Sequence, residues 1–243
     1  MITIKNLHKS FGDFKVLNGI NLTLEDNEIL SIIGKSGTGK SVLIKNLIGL
    51  ITPDSGIITV DGINTTGFTE EDYNKLIRPK IAFLFQEGAL LDSMTVCENI
   101  CLALRTKKDI NEKDRREIAV KSLKMVDLEN IENVYPDELS GGMLKRAAIA
   151  RAIAMKPKYL LYDEPTTGLD PQLSNLINDL IKRLNDELGT TSLIITHDIQ
   201  AAENISNRVA MLFEGKVKLV CDVKDFWNQE DAIFNNFIRG KVK

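Results

Sequence analysis

The sequence predicts an α/β fold, with a core sheet, an antiparallel β part and a helical insertion. Three observations support this prediction. A glycine-rich loop at 34–41 lies between an apolar, β-branched run and an amphipathic helix pattern. Further short apolar runs end in polar residues, as the strands of a buried parallel sheet do. A polar, helix-favouring stretch at 98–135 separates two parts of the chain that are rich in predicted strands.

Length and composition limit the functions that this chain can have. Its 243 residues suffice for one or two domains, and 43% hydrophobic and 27% charged residues form an ordinary globular profile. The net charge of −3 and the pI near 5.6 argue against a broad nucleic-acid-binding face. No apolar run approaches the roughly 18 residues of a membrane-spanning helix, and the N-terminus lacks the apolar core of a signal peptide. We therefore expect a cytosolic chain that reaches a membrane only through a partner.

The segment Gly34-Lys35-Ser36-Gly37-Thr38-Gly39-Lys40-Ser41 fits the pattern G-x-x-x-x-G-K-[ST] of a phosphate-binding loop. Its glycines let the backbone curl so that successive N–H groups point at an anion. We expect the Lys40 ammonium to reach the β- and γ-phosphates of a nucleotide, and the Ser41 hydroxyl to ligand Mg²⁺. A flexible linker would need polar flanks, whereas these flanks predict a core strand at 28–33 and a core helix after the loop.

Residues 2–33 are predicted to be β structure. Ile20, Leu22 and Leu24 alternate with polar residues, which is the period of a half-buried antiparallel strand. Phe11 falls in a turn of this region. An exposed aromatic side chain there either packs incidentally or stacks on a base. Spacing alone favours incidental packing.

Three later apolar runs, at 81–85, 159–162 and 193–196, end in residues that can carry chemistry. These residues are Gln86, Asp163, Glu164 and His197. The carboxyl-terminal edge of a parallel sheet lines a ligand crevice. Asp163 is expected to hold Mg²⁺, and Glu164 to orient and polarise an attacking water. The alternatives are surface charge for the two acids and a structural role for the histidine.

The segment Leu139-Ser140-Gly141-Gly142-Met143 precedes a helix that is predicted to run to Met155. Ser140 is a candidate N-cap, and Gly141 and Gly142 leave the first N–H groups of the helix exposed. A bare helix N-terminus favours an anion by about 0.3–1 kcal/mol per charge. The alternative is a plain capped helix start, for which two successive glycines are a poor choice because each has an entropic cost.

In their order along the chain, these motifs resemble the ATPase of an ABC transporter, from Ile2 to about Lys218. The resemblance implies ATP and Mg²⁺ as cofactors. It also implies the following roles: Gly34–Ser41 as the Walker A loop, Tyr159–Asp163 as the Walker B strand, Glu164 as the catalytic carboxylate, Gln86 as the Q-loop residue beside the metal, and His197 as the switch histidine. Phe11 matches the aromatic residue, usually tyrosine, that stacks on adenine, so stacking replaces incidental packing as the expectation.

The resemblance further implies a P-loop NTPase core and an assembly. Residues 1–243 would form one ABC ATPase domain, with the core at 1–86 and 156–243 and a helical subdomain at about 87–155. Two copies would sandwich two ATP molecules head to tail, with Ser140–Gly142 of one copy against the γ-phosphate held by Lys40 of the other. An integral membrane permease would dock a helix at Gln86 and 87–99. The chain would then lie at the cytoplasmic face of the inner membrane.

Met143 stands where most of the family has glutamine. At this position and in the segments 85–90 and 145–148, the sequence resembles the ATPases of the Mla/Mce subgroup. Those ATPases drive transport of phospholipid or other hydrophobic molecules across the bacterial envelope. That similarity implies a periplasmic lipid-binding Mce-type component, reached through the permease. The alternatives are an ATPase of a solute importer or exporter, and a soluble ABC protein that acts on ribosomes or DNA. The soluble class is disfavoured because this chain has one ATPase half and no sustained heptads.

Overall fold

The computed structural model describes residues 1–86, 88–107 and 109–240. Its strands are β1 (Ile2–Phe11), β2 (Phe14–Leu24), β3 (Ile29–Ile33), β4 (Ser55–Val60), β5 (Ile63–Asn64), β6 (Ile81–Leu84), β7 (Tyr159–Asp163), β8 (Thr191–Ile195), β9 (Arg208–Phe213) and β10 (Lys216–Asp222). They form a four-stranded antiparallel sheet in the order β2-β1-β4-β5 and a six-stranded sheet in the order β10-β9-β3-β8-β7-β6. In the larger sheet only β10 pairs antiparallel with its neighbour.

Helices connect and cover these strands. They are α1 (Lys40–Leu47), α2 (Glu70–Asp72), α3 (Val96–Leu104), α4 (Glu112–Met125), α5 (Gly141–Ala154), α6 (Pro171–Leu188), α7 (Ile199–Ile205) and α8 (Ala232–Ile238). Local sequence sets the ends of α6: the Asp170 side chain accepts from two backbone N–H groups at its start, and Gly189 ends it in a left-handed conformation. No helix within the described ranges is both long and apolar enough to cross a membrane.

The two faces of the six-stranded sheet pack against different partners. On one face, α1 and the antiparallel sheet share a hydrophobic core with β3, β7 and β8. On the other face, residues of α3, α4, α5 and α6 form a second core with the same strands. All five residues of β3, β7 and β8 are buried, since helices or a sheet cover both faces. The predicted α/β class, with an antiparallel sheet and helical parts, is confirmed.

The helical part shares its core with the sheet. Ile100 of α3 and Ile149 of α5 belong to the same buried cluster as Leu84 of β6 and Leu160 of β7. The helices therefore cover a face of the sheet and do not form a separate globule. The subdomain boundaries near 87 and 155 stay a prediction.

The prediction of one helical stretch from Glu98 to about Tyr135 is wrong in detail. The structure breaks it into α3 and α4 and has no helix at 126–135. Asn111 starts α4 as a new helix because its side chain accepts from the Asp114 N–H. After α4, Asp127 takes a left-handed backbone conformation, with φ 57°, that ends the helix. The sequence pattern did not show these two helix boundaries because the stretch consists largely of mixed charged residues that favour a helix throughout.

An acidic residue in the β4–β5 turn ties the antiparallel sheet to the start of β7. Asp61 accepts hydrogen bonds from Lys158 Nζ at 2.6 Å and from Tyr159 Oη at 2.5 Å. Partial burial raises the pKa of Asp61, but these bonds outweigh it and hold the pKa well below its usual value. The charged carboxylate thus fixes the strand whose other end carries Asp163.

Candidate active site

Strand register brings the ends of β3, β7 and β8 to one level at the carboxyl-terminal edge of the sheet. Ile195 of β8 pairs with Ile32 of β3 on one side and with Asp163 of β7 on the other. A cleft of about 710 Å³ opens at this edge. Its lining residues are Phe11, Val16, Ser36, Gly37, Gly39, Lys40, Ser41, Val42, Gln86, Glu164, Thr167 and His197. The phosphate-loop, glutamine, glutamate and histidine motifs therefore share one cleft.

The loop between β3 and α1 depends on glycine at position 39. Gly39 has φ 99°, and a Cβ atom there would lie 2.9 Å from both the Val16 carbonyl oxygen and the Leu17 side chain. Strand β2 thus approaches the loop closely. The loop is also tied internally, because the Thr38 hydroxyl donates to the Lys35 carbonyl oxygen at 2.9 Å.

Lys40 is a buried cation at the floor of this cleft. Its ammonium donates to the carbonyl oxygens of Gly34 at 2.8 Å and of Lys35 at 3.0 Å. Burial lowers the pKa of Lys40, and the carboxylates of Glu164 and Asp163 partly oppose that effect. Its hydrogen-bond acceptors are neutral. A bound phosphate would therefore add the anionic partner that a desolvated ammonium favours.

Ser41 and Asp163 form the pair that fits a magnesium ion. The Ser41 hydroxyl donates to Asp163 Oδ1 at 3.1 Å. Burial raises the pKa of Asp163, and the hydrogen bond from Ser41 only partly opposes that effect. Mg²⁺ prefers oxygen ligands and is held by one or two carboxylates with phosphates and waters, which matches this sparse donor set. Within the described ranges, no group of three or more His, Cys, Asp and Glu residues could hold a metal by itself.

Glu164 is held in an unusual backbone conformation. Its φ is 53°, in the left-handed region that costs a non-glycine residue about 1–3 kcal/mol. Its N–H donates to the Ile195 carbonyl oxygen at 2.9 Å, and its Oε2 lies 2.7 Å from His197 Nδ1. The glutamate side chain is 15% exposed and the histidine side chain 65% exposed. The carboxylate is therefore fixed at the cleft wall by a histidine that solvent reaches.

Thr167 is a cleft residue that the sequence analysis missed. Its hydroxyl donates to Glu164 Oε2 at 3.3 Å. No motif in the sequence marks this bond, which depends on how the turn after β7 folds. Val16 was also missed, because it comes from the antiparallel sheet and no local pattern marks it.

Phe11 and Gln86 line the cleft, and their roles towards adenine and the metal stay predictions. The Phe11 ring is half exposed, with Lys9 Nζ 5.5 Å from the ring centre, so a ring face remains open for stacking. Gln86 is one of the lining residues, and its backbone carbonyl oxygen accepts from the Lys145 ammonium on α5.

Ser140, Gly141 and Gly142 are absent from the described residues that line the cleft. The Ser140 hydroxyl caps α5 by accepting from the Met143 N–H at 3.3 Å, and both Ser140 and Gly141 are exposed. Gly142 is buried, and a Cβ atom there would lie 3.1 Å from the side chain of Leu173. Packing against α6 is therefore a reason for this glycine that the sequence did not reveal.

Comparison with known proteins identifies the family. The family model described as "ABC transporter" matches residues 17–167. The chain belongs to the ABC transporter family. The methionine import ATP-binding protein MetN of Legionella pneumophila (strain Lens) is 35% identical over 242 residues, which is 100% of this chain and 70% of that protein. The "probable ribonucleotide transport ATP-binding protein mkl" of Mycobacterium leprae (strain TN) is 34% identical over 240 residues, 99% of this chain and 69% of that protein.

Solved structures agree with this assignment. A dimeric ATP-binding cassette, MJ0796, in a post-hydrolysis state with ADP and phosphate, has a TM-score of 0.84 and 35% identity, covering 92% of this chain and 99% of that chain. The cbiO1 protein of Clostridium perfringens, described as part of the ABC transporter complex cbiONQ, has a TM-score of 0.86 and 30% identity, covering 98% and 94%. The chain is thus the ATP-binding subunit of an ABC transporter, an ATPase with ATP and Mg²⁺ as its cofactors.

The buried ammonium of Lys40 gives the first prediction. Lys40→Ala should weaken MgATP binding by about 10–100-fold, because a hydrogen bond to a charged group contributes roughly 1.5–3 kcal/mol. Calorimetric titration of the isolated chain measures this loss. Lys5→Ala, which removes an exposed lysine of β1, is the matched control and should bind normally. Wild-type affinity in the Lys40→Ala protein would contradict the prediction, provided that its thermal unfolding without nucleotide is unchanged.

Proposed function

We propose that two copies of this ATPase enclose two ATP molecules and drive a membrane permease by closing and reopening. Within each copy, the Gly34–Ser41 loop wraps the phosphates, Lys40 contacts the β- and γ-phosphates, and Phe11 stacks on the adenine. The N-terminal end of α5 at Ser140–Gly142 of the other copy, where Ser140 and Gly141 are exposed, covers the γ-phosphate. The position of Ser140 and Gly141, exposed and outside their own cleft, supports this arrangement. The dimeric state of the related cassette supports it as well.

The observation that carries the catalytic assignment is the fixed carboxylate of Glu164. Its Oε2 lies 2.7 Å from His197 Nδ1 and shares the cleft with Lys40. We assign Glu164 as the group that polarises the attacking water, and His197 as the residue that orients Glu164. Ser41, Asp163 and Gln86 hold Mg²⁺, which when bound neutralises charge on the phosphates. The N-terminus of α5 supplies further stabilisation of negative charge in the transition state.

Glu164→Gln tests this assignment. The amide keeps the size of the side chain but cannot polarise water, so kcat should fall about 10²–10⁴-fold while ATP binding persists. Added ATP should then accumulate the closed two-copy state, which light scattering coupled to size-exclusion chromatography measures as a doubled mass. Glu129→Gln, an exposed position, is the matched control. Normal turnover by Glu164→Gln would move the base role to another residue.

The permease contact is proposed for the surface beside Gln86, at the cytoplasmic face of the inner membrane. Phe85 and Leu91 are 41% and 45% exposed, although both are large and apolar. Of the predicted 87–99 docking segment, Glu87 lies outside the described residues. Gly88 is buried against α5 and is unavailable to a partner, whereas Ala89 and Leu91 are exposed.

For the cargo, we propose phospholipid or another hydrophobic molecule, delivered with a periplasmic Mce-type component. The support is the sequence similarity at Met143, 85–90 and 145–148. Import of a small solute is the second candidate, and the name of the methionine importer favours it. Relatives at 35% and 34% identity carry names with different cargoes, methionine and ribonucleotide, so overall similarity is a weak guide to cargo.

Co-purification in mild detergent tests the permease contact and the cargo together. Leu91→Arg should abolish recovery of a polytopic permease while leaving ATP binding of the isolated chain intact, because a cation replaces the exposed apolar contact. Leu188→Arg, which changes an exposed leucine at the end of α6, is the control and should retain the permease. Protein and lipid mass spectrometry then identify what the wild-type chain retains. Recovery of a solute permease with no lipid and no Mce-type component would overturn the lipid proposal and leave the ATPase role standing.

A further inference from the structure

Gln86 and the next described residues of its segment, Gly88 and Ala89, are bound to α5 through their backbone carbonyl groups. The Gln86 carbonyl oxygen accepts from the Lys145 ammonium. The next described carbonyl oxygens, of Gly88 and Ala89, accept from Arg151 Nη2 at 2.9 Å and from Arg151 Nη1 at 2.5 Å. One guanidinium thus holds two successive peptide groups. Both residues have left-handed backbone conformations, with φ 77° at Gly88 and 50° at Ala89.

Packing reinforces these hydrogen bonds. Gly88 is buried, and a Cβ atom there would lie 3.1 Å from Ala148 Cβ and 3.8 Å from the Leu144 carbonyl oxygen. Lys145, Ala148 and Arg151 are spaced by three residues along α5, so they share one face of the helix. That face is occupied by Gln86, Gly88 and Ala89.

The guanidinium of Arg151 is committed to this contact. Burial lowers the pKa of Arg151, yet arginine remains charged at neutral pH. Its hydrogen bonds go to backbone oxygens, and among the ion pairs of the described residues none involves Arg151. Bonds from a charged donor to a carbonyl are stronger than neutral ones. The segment is therefore held to α5 by more than apolar packing.

We infer that Arg151, assisted by Lys145, is a positioning residue that makes Gln86 and the N-terminus of α5 move as one unit. Gln86 lines the nucleotide cleft, and Ser140 begins the helix to which its segment is bound. A shift of Gln86 towards a bound γ-phosphate and Mg²⁺ pulls on α5 through Arg151 and reorients Ser140 towards the cleft of the other copy. This inference rests on the proposed function, because it assigns a means by which ATP in one cleft prepares the other.

The same helix offers a matched control. Arg146 Nη1 donates to the carbonyl oxygens of Val126 at 3.3 Å and of Asp127 at 2.8 Å, which lie at the end of α4. Arg146 and Arg151 are both partly buried, and each bonds two backbone carbonyl groups. They differ in the backbone that they bind, since Arg151 bonds Gly88 and Ala89 whereas Arg146 bonds the end of α4.

Hydrogen exchange measured by mass spectrometry tests the inference on the full chain carrying Glu164→Gln, with and without MgATP. With both arginines intact, ATP should protect the phosphate loop and residues 139–146. Adding Arg151→Met should keep protection of the phosphate loop and remove at least half of that at 139–146, and Arg151→Lys should restore part of it. Arg146→Met should keep the protection at 139–146 even where it lowers thermal stability.

Steady-state kinetics give a second readout, measured in chains that retain the native glutamate at position 164. Arg151→Met should lower kcat about tenfold, roughly 1.4 kcal/mol, with the Kd for ATP changed less than twofold, whereas Arg146→Met should keep most of its kcat. Equal losses of kcat and of protection in both methionine variants would overturn the positioning role, and so would full ATP-induced protection at 139–146 in Arg151→Met. Absence of that protection with both arginines intact would overturn the two-copy site as well. Normal hydrolysis by Glu164→Gln alone would overturn only the role of Glu164.

Discussion

The parallel pairing of β3, β8 and β7 is the constraint on which the rest of the structure depends. Because Ile195 is in register with both Ile32 and Asp163, the three strands end at one level, and the residues that follow them meet in one cleft. Full burial of these strands fixes the register, since a slip would place polar ends inside the core. The antiparallel sheet adds the wall that contains Phe11 and Val16.

The charged residues at the carboxyl-terminal edge of the sheet fit an anionic ligand that binds together with a metal cation. The desolvated ammonium of Lys40 and the acid Glu164 line the same cleft, and the acid Asp163 accepts a hydrogen bond from Ser41, which also lines it. Burial disfavours the charged forms of Lys40 and Asp163. Nucleotide triphosphate with Mg²⁺ satisfies both signs together, with phosphate at the lysine and metal at the Ser41–Asp163 pair. The strained backbone of Glu164, tied to His197 and Thr167, fits a site that is organised before the nucleotide arrives.

Much of this was readable from the sequence, because the signals were local. The phosphate loop, the buried strands and their polar ends depend on short patterns, and the α/β class followed from them. Gln86, Glu164 and His197 were marked by their places at strand ends, whereas Phe11 came only from the family resemblance. What was missed depends on contacts distant in sequence: the Gly142 packing on Leu173, the approach of Val16 to Gly39, and the two carbonyl groups held by Arg151. The break between α3 and α4 was missed because a capping asparagine among many charged residues gives a weak signal.

Each ATP site, as we propose, is built from two copies of the chain, and mixed dimers test this arrangement most directly. Ser140→Arg removes the part contributed across the interface, while Lys40→Ala removes the part contributed within the cleft. Each variant alone should be nearly inactive. In a heterodimer isolated through two different affinity tags, one site combines the intact Lys40 of the first chain with the intact Ser140 of the second. The ATPase assay should therefore recover partial activity, whereas an inactive heterodimer that still forms would contradict the shared site.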